Sequence, residues 1–317
     1  MNKANPRRFQ SLRVSLTQSC NLHCRYCVDP DQPVTSCHEL PGAQLAKAVR
    51  LLDQALGLKR IKITGGEPLL GTKIDEFLFA LGAEPVNFEM GITTNGQRLS
   101  QKLDLLKQHG VGQINISIDS LIPENFKRLC GGELGKTLDS IDQAIEMGFQ
   151  VKLNMVPMKG QNHLECLPMF EFAASKGIQV RYIELMKMGY LQGGRYEEQL
   201  FSLEDIVQQI GTAYPVQEQH RPWNGTALLF EANACSFGII ANHSKPFCND
   251  CDRLRISAQG ALVGCLSSEK SFSITDLLHL EPTQAAEQLS PLLQQAMSTK
   301  QPYAFVGSAL GMKMIGG

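Results

Sequence analysis

The chain has 317 residues, 43% of them hydrophobic and 19% charged, a globular composition able to bury a large core. Its formal net charge of -1 argues against a general nucleic-acid binder or a membrane-surface protein. The basic start MNKANPRRFQ lacks the apolar stretch of a secretory signal, and no apolar run approaches the ~20 residues that span a bilayer. A cytoplasmic address is expected, where thiols stay reduced, so ten cysteines point to metal or redox chemistry more than to crosslinks.

In chain order, strand-like and helix-like segments alternate. LRVSLT (12–17) reads as a strand and runs straight into CNLHCRYC (20–27). There Cys20, Cys24 and Cys27 stand in a C-x3-C-x2-C spacing, at the strand end where parallel barrels carry their active sites. Iron–sulfur clusters usually take four thiolates, so three leave one iron open for another ligand. A zinc knuckle with a distal fourth ligand is the plain alternative. A helical pattern over 42–58 leads to the strand RIKIT (60–64), which ends in the glycine-rich turn TGGEP. Strands FEMGIT (88–93), QINISI (113–118), FQVKLNMV (149–156) and QVRYIEL (179–185) follow, separated by helical patterns over 101–110, 136–148 and 169–177. Several of these patterns close on a glycine cap. This βαβα order predicts a parallel sheet, open or curled into a barrel.

Side-chain alternation along the strands separates two faces. Leu12, Val14, Ile61, Ile63, Ile114, Ile116, Val151 and Leu153 share the apolar one. Arg13, Ser15, Lys62, Thr64, Asn115, Ser117, Lys152 and Asn154 share the other. A closed barrel core is filled mainly with Val, Ile and Leu. This polar and basic face is instead expected to line a solvated lumen holding an anion.

Beyond about residue 190 the rhythm breaks, and a smaller C-terminal domain is expected over 216–317 after a core over 5–215. DRLRISAQGALVGCL reads as a hairpin around Gln259-Gly260. It carries a second set of three cysteines, Cys248, Cys251 and Cys265, whose spacing also suits zinc with His243 as fourth ligand. Arg253 and Arg255, two apart on a strand, face the same way and suit an anion. Cys37, Cys130, Cys166 and Cys235 belong to neither set and are expected to be dispensable. At the Gly316-Gly317 end, Met312, Met314 and Ile315 are expected to anchor a tail thin enough to enter a crowded cavity.

Together, LRVSLT…CNLHCRYC, ITGGEPLL, TTNG, SIDS, VRYIELMKMG, PFCNDCDRLR and the terminal Gly-Gly resemble one family over nearly the whole chain. That family is the GTP 3′,8-cyclases of molybdenum cofactor biosynthesis, within the radical S-adenosylmethionine (SAM) superfamily. The resemblance implies an incomplete (β/α)6 TIM-like barrel with a smaller C-terminal domain. It implies two [4Fe–4S] clusters, one on Cys20, Cys24 and Cys27 with SAM on its open iron, the other on Cys248, Cys251 and Cys265 with the guanine of GTP. SAM contacts carry over to Tyr26, Gly66, Ser117 and Met186, and GTP contacts to Arg13, Lys62, Thr93, Lys152, Arg253 and Arg255. Catalytic roles carry over to Arg13, Arg253, Arg255, Gly316 and Gly317. The implied partners are GTP, an electron donor such as flavodoxin or ferredoxin, and the next enzyme, which makes cyclic pyranopterin monophosphate. A homodimer is compatible with the family; nucleic acid and membrane are not expected partners. Lys62 stands where the family commonly has Arg, Gly71 where a basic residue is usual, and Lys187 where Pro is. Residues 216–240 fit the family pattern poorly. The alternatives are a two-cluster paralogue acting on another nucleotide, and a non-catalytic electron-transfer protein.

Overall fold

A computed structural model describes residues 7–28, 38–192, 195–221 and 225–316. Six strands follow one another side by side, all parallel: β1 (Ser11–Ser15), β2 (Arg60–Thr64), β3 (Glu89–Thr94), β4 (Val111–Ser117), β5 (Gln150–Met155) and β6 (Gln179–Ile183). Between them run α1 (Gly42–Leu56), α2 (Lys73–Leu81), α3 (Leu103–Gln108), α4 (Pro123–Cys130), α5 (Leu134–Glu146) and α6 (Cys166–Ser175). The apolar faces decide this packing. Leu12, Val14, Ile61, Ile63, Ile114, Ile116 and Leu153 are at most 2% exposed, in one core cluster with the helix residues Leu45, Leu52, Phe77 and Ile141. α1 ends as its sequence requires, with Gly57 in the left-handed region at φ 60°.

The later part of the chain does not build a sheet of its own. After the short helices α7 (Arg195–Gln199) and α8 (Leu203–Gly211) come β7 (Val216–Glu218), β8 (Leu228–Ala232) and β9 (Cys235–Ile240), joined as an antiparallel run whose last strand pairs parallel with β6. β10 (Arg253–Ile256) pairs parallel with β1 at the far edge, and β11 (Ala261–Val263) and β12 (Phe272–Ser273) extend it outward. The hairpin expected around Gln259-Gly260 is the β10–β11 turn, where Ser257 N donates to Ala261 O at 2.9 Å. One sheet of twelve strands results, with residues after 215 on both its flanks. α9 (Pro282–Ser298) packs on α1 and β11, and the chain closes with α10 (Met312–Ile315).

Ile240 on β9 and Arg253 on β10 sit toward opposite edges of the sheet yet line one cavity, so the sheet is curled around it. No helix among the described residues is long and apolar enough to cross a membrane.

Candidate active site

The polar face of the strands turns into this cavity. Register places its cations side by side: Arg13 lies directly between Arg255 on β10 and Lys62 on β2. Next to Lys62 stands Gly91, where a Cβ would come within 2.3 Å of the Lys62 ammonium, so the missing side chain gives that ammonium its place. Farther round, Asn115 opposes Lys152, and Asn154 opposes Arg181. Among the described residues none of Arg13, Lys62, Lys152, Arg181, Arg253 and Arg255 forms an ion pair with an acidic side chain. Like charges directly opposite on adjacent strands repel, and burial sharpens the cost. Burial, then Arg13, Arg181 and Lys152, holds the Lys62 ammonium down to about 7. Lys152 is lowered to about 8 by burial and Arg181, and Arg13 to about 10 by burial and Arg253. A polyanion placed here would offset this repulsion.

Arg13, Thr93, Asn115, Ser117, Tyr26, Met186, Arg253, Arg255 and the three cysteines of the second set all line the cavity. Lys62 and Lys152 are not at its wall, but they share one cluster of charge with Arg13 and Arg181. Sequence reading missed Arg181, although it shares the strand parity of Lys152 and Asn154. It also missed Lys300, whose Nζ donates to Cys251 Sγ at 3.0 Å and to Arg253 O at 2.6 Å. Nothing local in STKQPYAF marks that lysine; only the fold brings it to the cysteines. Burial alone would raise the Cys251 thiol, but Arg253 and Lys300 outweigh it and bring it to about 6. Phe247 carries the Arg253 guanidinium over its ring at 4.7 Å.

Buried and half-buried carboxylates hold the loops. Glu39 accepts from Gln18 N at 2.6 Å and Thr17 Oγ1 at 3.1 Å, fixing the start of the cysteine loop. Glu67 of the GGEP turn is 1% exposed, and accepts from Thr94 Oγ1 and Asn95 N, both at 2.7 Å. Burial lifts it to about 7 even so. Gly66 faces the cysteine loop, where a Cβ would meet Ser19 O at 2.3 Å, so this glycine first seats that loop against the turn. Glu184 collects Leu203 N, His243 N and Ser244 N at 2.7–3.0 Å and pins the segment leading to Cys248.

The first-set cysteines are part-buried beside one another; burial and the neighbouring thiols raise Cys27, and burial with Cys24 raises Cys20. Neither triplet closes to the spacing of a single ion; among the described residues only Cys24, Asp119 and Cys130 do. His243 joins no such group: its ring packs on Tyr196 at 6.1 Å. Three thiols too far apart for one ion fit a cluster with an open iron better than tetrahedral zinc.

The tail enters the barrel. Arg255 Nη1 donates to Gly316 O at 2.5 Å, and Gly316, at φ 75°, sits where a Cβ would meet Ser15 Cβ at 2.8 Å. Met312 packs with Met186, Met188 and Val263. Met314 corrects the expectation: it is 45% exposed and anchors nothing, because the short helix turns it outward. Gly317 and Cys37 lie outside the described residues, as does the Ile315 side chain.

Residues 14–173 match the Radical SAM superfamily model and residues 178–306 the Molybdenum Cofactor Synthesis C model. A GTP 3′,8-cyclase of Listeria welshimeri is 37% identical over 299 residues, covering 91% of this chain and 87% of that protein. The chain belongs to the GTP 3′,8-cyclase family of radical SAM proteins. A Pseudomonas aeruginosa relative named GTP 3′,8-cyclase 2 is 34% identical over 93% of this chain and 90% of its own. In fold, the chain is similar to Streptococcus suis SuiB bound to S-adenosylmethionine, with a TM-score of 0.64 and 15% identity. That match covers 85% of this chain and 64% of SuiB. Native anSMEcpe with bound AdoMet is similar at a TM-score of 0.56 and 15% identity, over 80% of this chain and 74% of its own.

Proposed function

We propose that the protein cyclises GTP to 3′,8-cyclo-7,8-dihydroguanosine 5′-triphosphate, the first step of molybdenum cofactor biosynthesis. Family membership supports this, and the observation that carries it is the unneutralised row Arg255–Arg13–Lys62, with Arg181 and Lys152, of which the three arginines line one cavity. In this reading Cys20, Cys24 and Cys27 hold a [4Fe–4S] cluster that binds SAM, and Cys248, Cys251 and Cys265 hold a second that takes guanine. On reduction, the first cluster with SAM supplies the radical that removes hydrogen from the ribose.

The chain's own residues bind and orient. Tyr26, Ser117 and Met186 border the SAM side of the cavity, with Gly66 keeping the cysteine loop in place. Arg13, Lys62, Lys152 and Arg181 neutralise the triphosphate, Thr93 lies along the nucleotide, and Arg253 and Arg255 stand beside the second cysteine set. Gly316, with Gly317 beyond it, brings slender backbone to the reacting nucleotide under the hold of Arg255. Residues 5–215 act as the core and 216–317 as the segment carrying the second cluster. An acidic one-electron donor such as flavodoxin or ferredoxin supplies the electron, and the product passes to the enzyme making cyclic pyranopterin monophosphate. A homodimer in the cytoplasm is compatible with this role.

The test is anaerobic incubation of the reconstituted protein with SAM, dithionite and GTP, followed by mass analysis. The cyclised triphosphate and 5′-deoxyadenosine are expected together. SAM cleavage with GTP returned intact, and another nucleotide consumed in its place, would overturn the substrate. Two cubane clusters also require about eight irons per chain. About four irons with zinc filling the rest would overturn the second cluster.

A further inference from the structure

Cys130 ends α4 and belongs to neither cysteine set, yet the fold brings it to one of them. His23 N donates to Cys130 O at 3.0 Å and Arg25 N to Leu129 O at 3.1 Å, which pins the loop to the helix end on either side of Cys24. The ligand atoms of Cys24, Asp119 and Cys130 all fall within 4.8 Å of one another. Cys130 Sγ stands 3.6 Å from Asp119 Oδ2. For metal–sulfur bonds near ~2.3 Å and metal–oxygen bonds near ~2.0 Å, a tetrahedral ion sets that sulfur–oxygen edge at about 3.5 Å. The carboxylate is already oriented: Val156 N donates to Oδ1 at 2.8 Å and the Tyr26 hydroxyl to Oδ2 at 2.9 Å. Asp119 and Cys130 are each 2% exposed. Two thiols and a fixed carboxylate, converging with only Cys24 part-exposed, make a soft, anionic donor set.

We propose that in the cluster-free protein Cys24, Asp119 and Cys130 form a mononuclear site for a thiophilic divalent cation, zinc or ferrous iron. Binding releases the two thiol protons, and water or the Tyr26 hydroxyl completes the fourth position. Cys24 cannot serve this ion and a cluster together, so each excludes the other. That exclusion rests on the cluster reading given above, whereas the site itself does not.

Cobalt(II) is the probe, added anaerobically to the full-length, cluster-free protein and read by its thiolate charge-transfer and tetrahedral d–d absorption. Cobalt held by Cys248, Cys251 and Cys265 is common to every variant and cancels in the differences. Cys130→Ser and Asp119→Asn are expected to weaken the site at least ~tenfold, as loss of a ligand should exceed the usual effect of an outer-shell change. Cys20→Ser and Cys27→Ser should leave it intact, with circular dichroism confirming that all variants are folded. Loss on Cys20→Ser and Cys27→Ser with none on Cys130→Ser would place the ion in the first cysteine set and overturn the site. No loss in any variant would overturn it equally. In the second arm, zinc is added before cluster reconstitution. About four irons should then be missing from the parent protein but not from Cys130→Ser, which should otherwise turn over normally. Equal iron uptake by the parent with and without zinc would overturn the exclusion.

Discussion

Lys62 and Lys152 are held at about 7 and about 8 while no anion is present. A triphosphate set among them favours the charged ammonium, so binding takes up protons. Affinity for GTP should therefore fall as pH rises through that window, and calorimetry in buffers of different ionisation heat should show net proton uptake. A pH-independent affinity would put the triphosphate elsewhere. Without ligand the sign reverses. The folded chain releases the Lys62 proton near 7 and the unfolded chain only near 10.5, so apoprotein stability should rise as pH climbs between them. Arg181→Ala should weaken GTP by roughly 1.5–3 kcal/mol, about ten- to a hundredfold, while guanosine is held as before. Equal loss for both ligands would remove phosphate from the role of Arg181. Arg13 and Lys62 were legible because strand parity sets them opposite an unbroken apolar face. Arg181 obeys the same parity, but Ile183 follows it on the same face, and that lone apolar neighbour hid the pattern.

At the level of loops and hairpins, the carboxylates matter more than their sequence suggests. Glu184 is fully buried and gathers donors from the start of α8 and from residues 243 and 244. Bonds to a charged group are worth ~1.5–3 kcal/mol each, so Glu184→Ala should cost about 3 kcal/mol or more, seen as a lower urea midpoint. An unchanged midpoint would mean that these donors find water instead. The β8–β9 turn offers the opposite change. Asn233 and Ala234 lie at φ 50° and 56°, the geometry in which a two-residue hairpin favours Asn-Gly. Ala234→Gly should stabilise the protein by about 1 kcal/mol, measured the same way. The strands β1 to β6 were readable from alternation within a residue or two of their observed ends, whereas β7, β8, β9 and β12 were not read. Neither Glu184 nor Lys300 was, since each acts on partners tens of residues away and local pattern carries no trace of them.

Over the whole molecule, the twelve strands form one sheet rather than two. A chain stopped after residue 215 would lose β10 from the edge of β1 and β9 from the edge of β6. Two long edges would then lie open, so such a fragment should aggregate rather than fold as a soluble core. A soluble, cooperatively unfolding fragment would show that the first six strands suffice. The run of six parallel strands ends with β6, shortly before the change of rhythm near residue 190. That change could not show where the later strands go, because pairing across such distances leaves no periodicity in the sequence.

The seat of β10 against β1 also sets a timetable. On the ribosome, β1 (Ser11–Ser15) emerges long before its neighbour β10 (Arg253–Ile256), and at ~5–20 residues per second that separation leaves an interval of roughly 10–50 s. Through that interval the amides and carbonyls along one side of the first strand have only water, or a chaperone, to bond. Completion of the barrel therefore waits on the emergence of β10, and the newborn chain is most open to misassembly just before that strand is released.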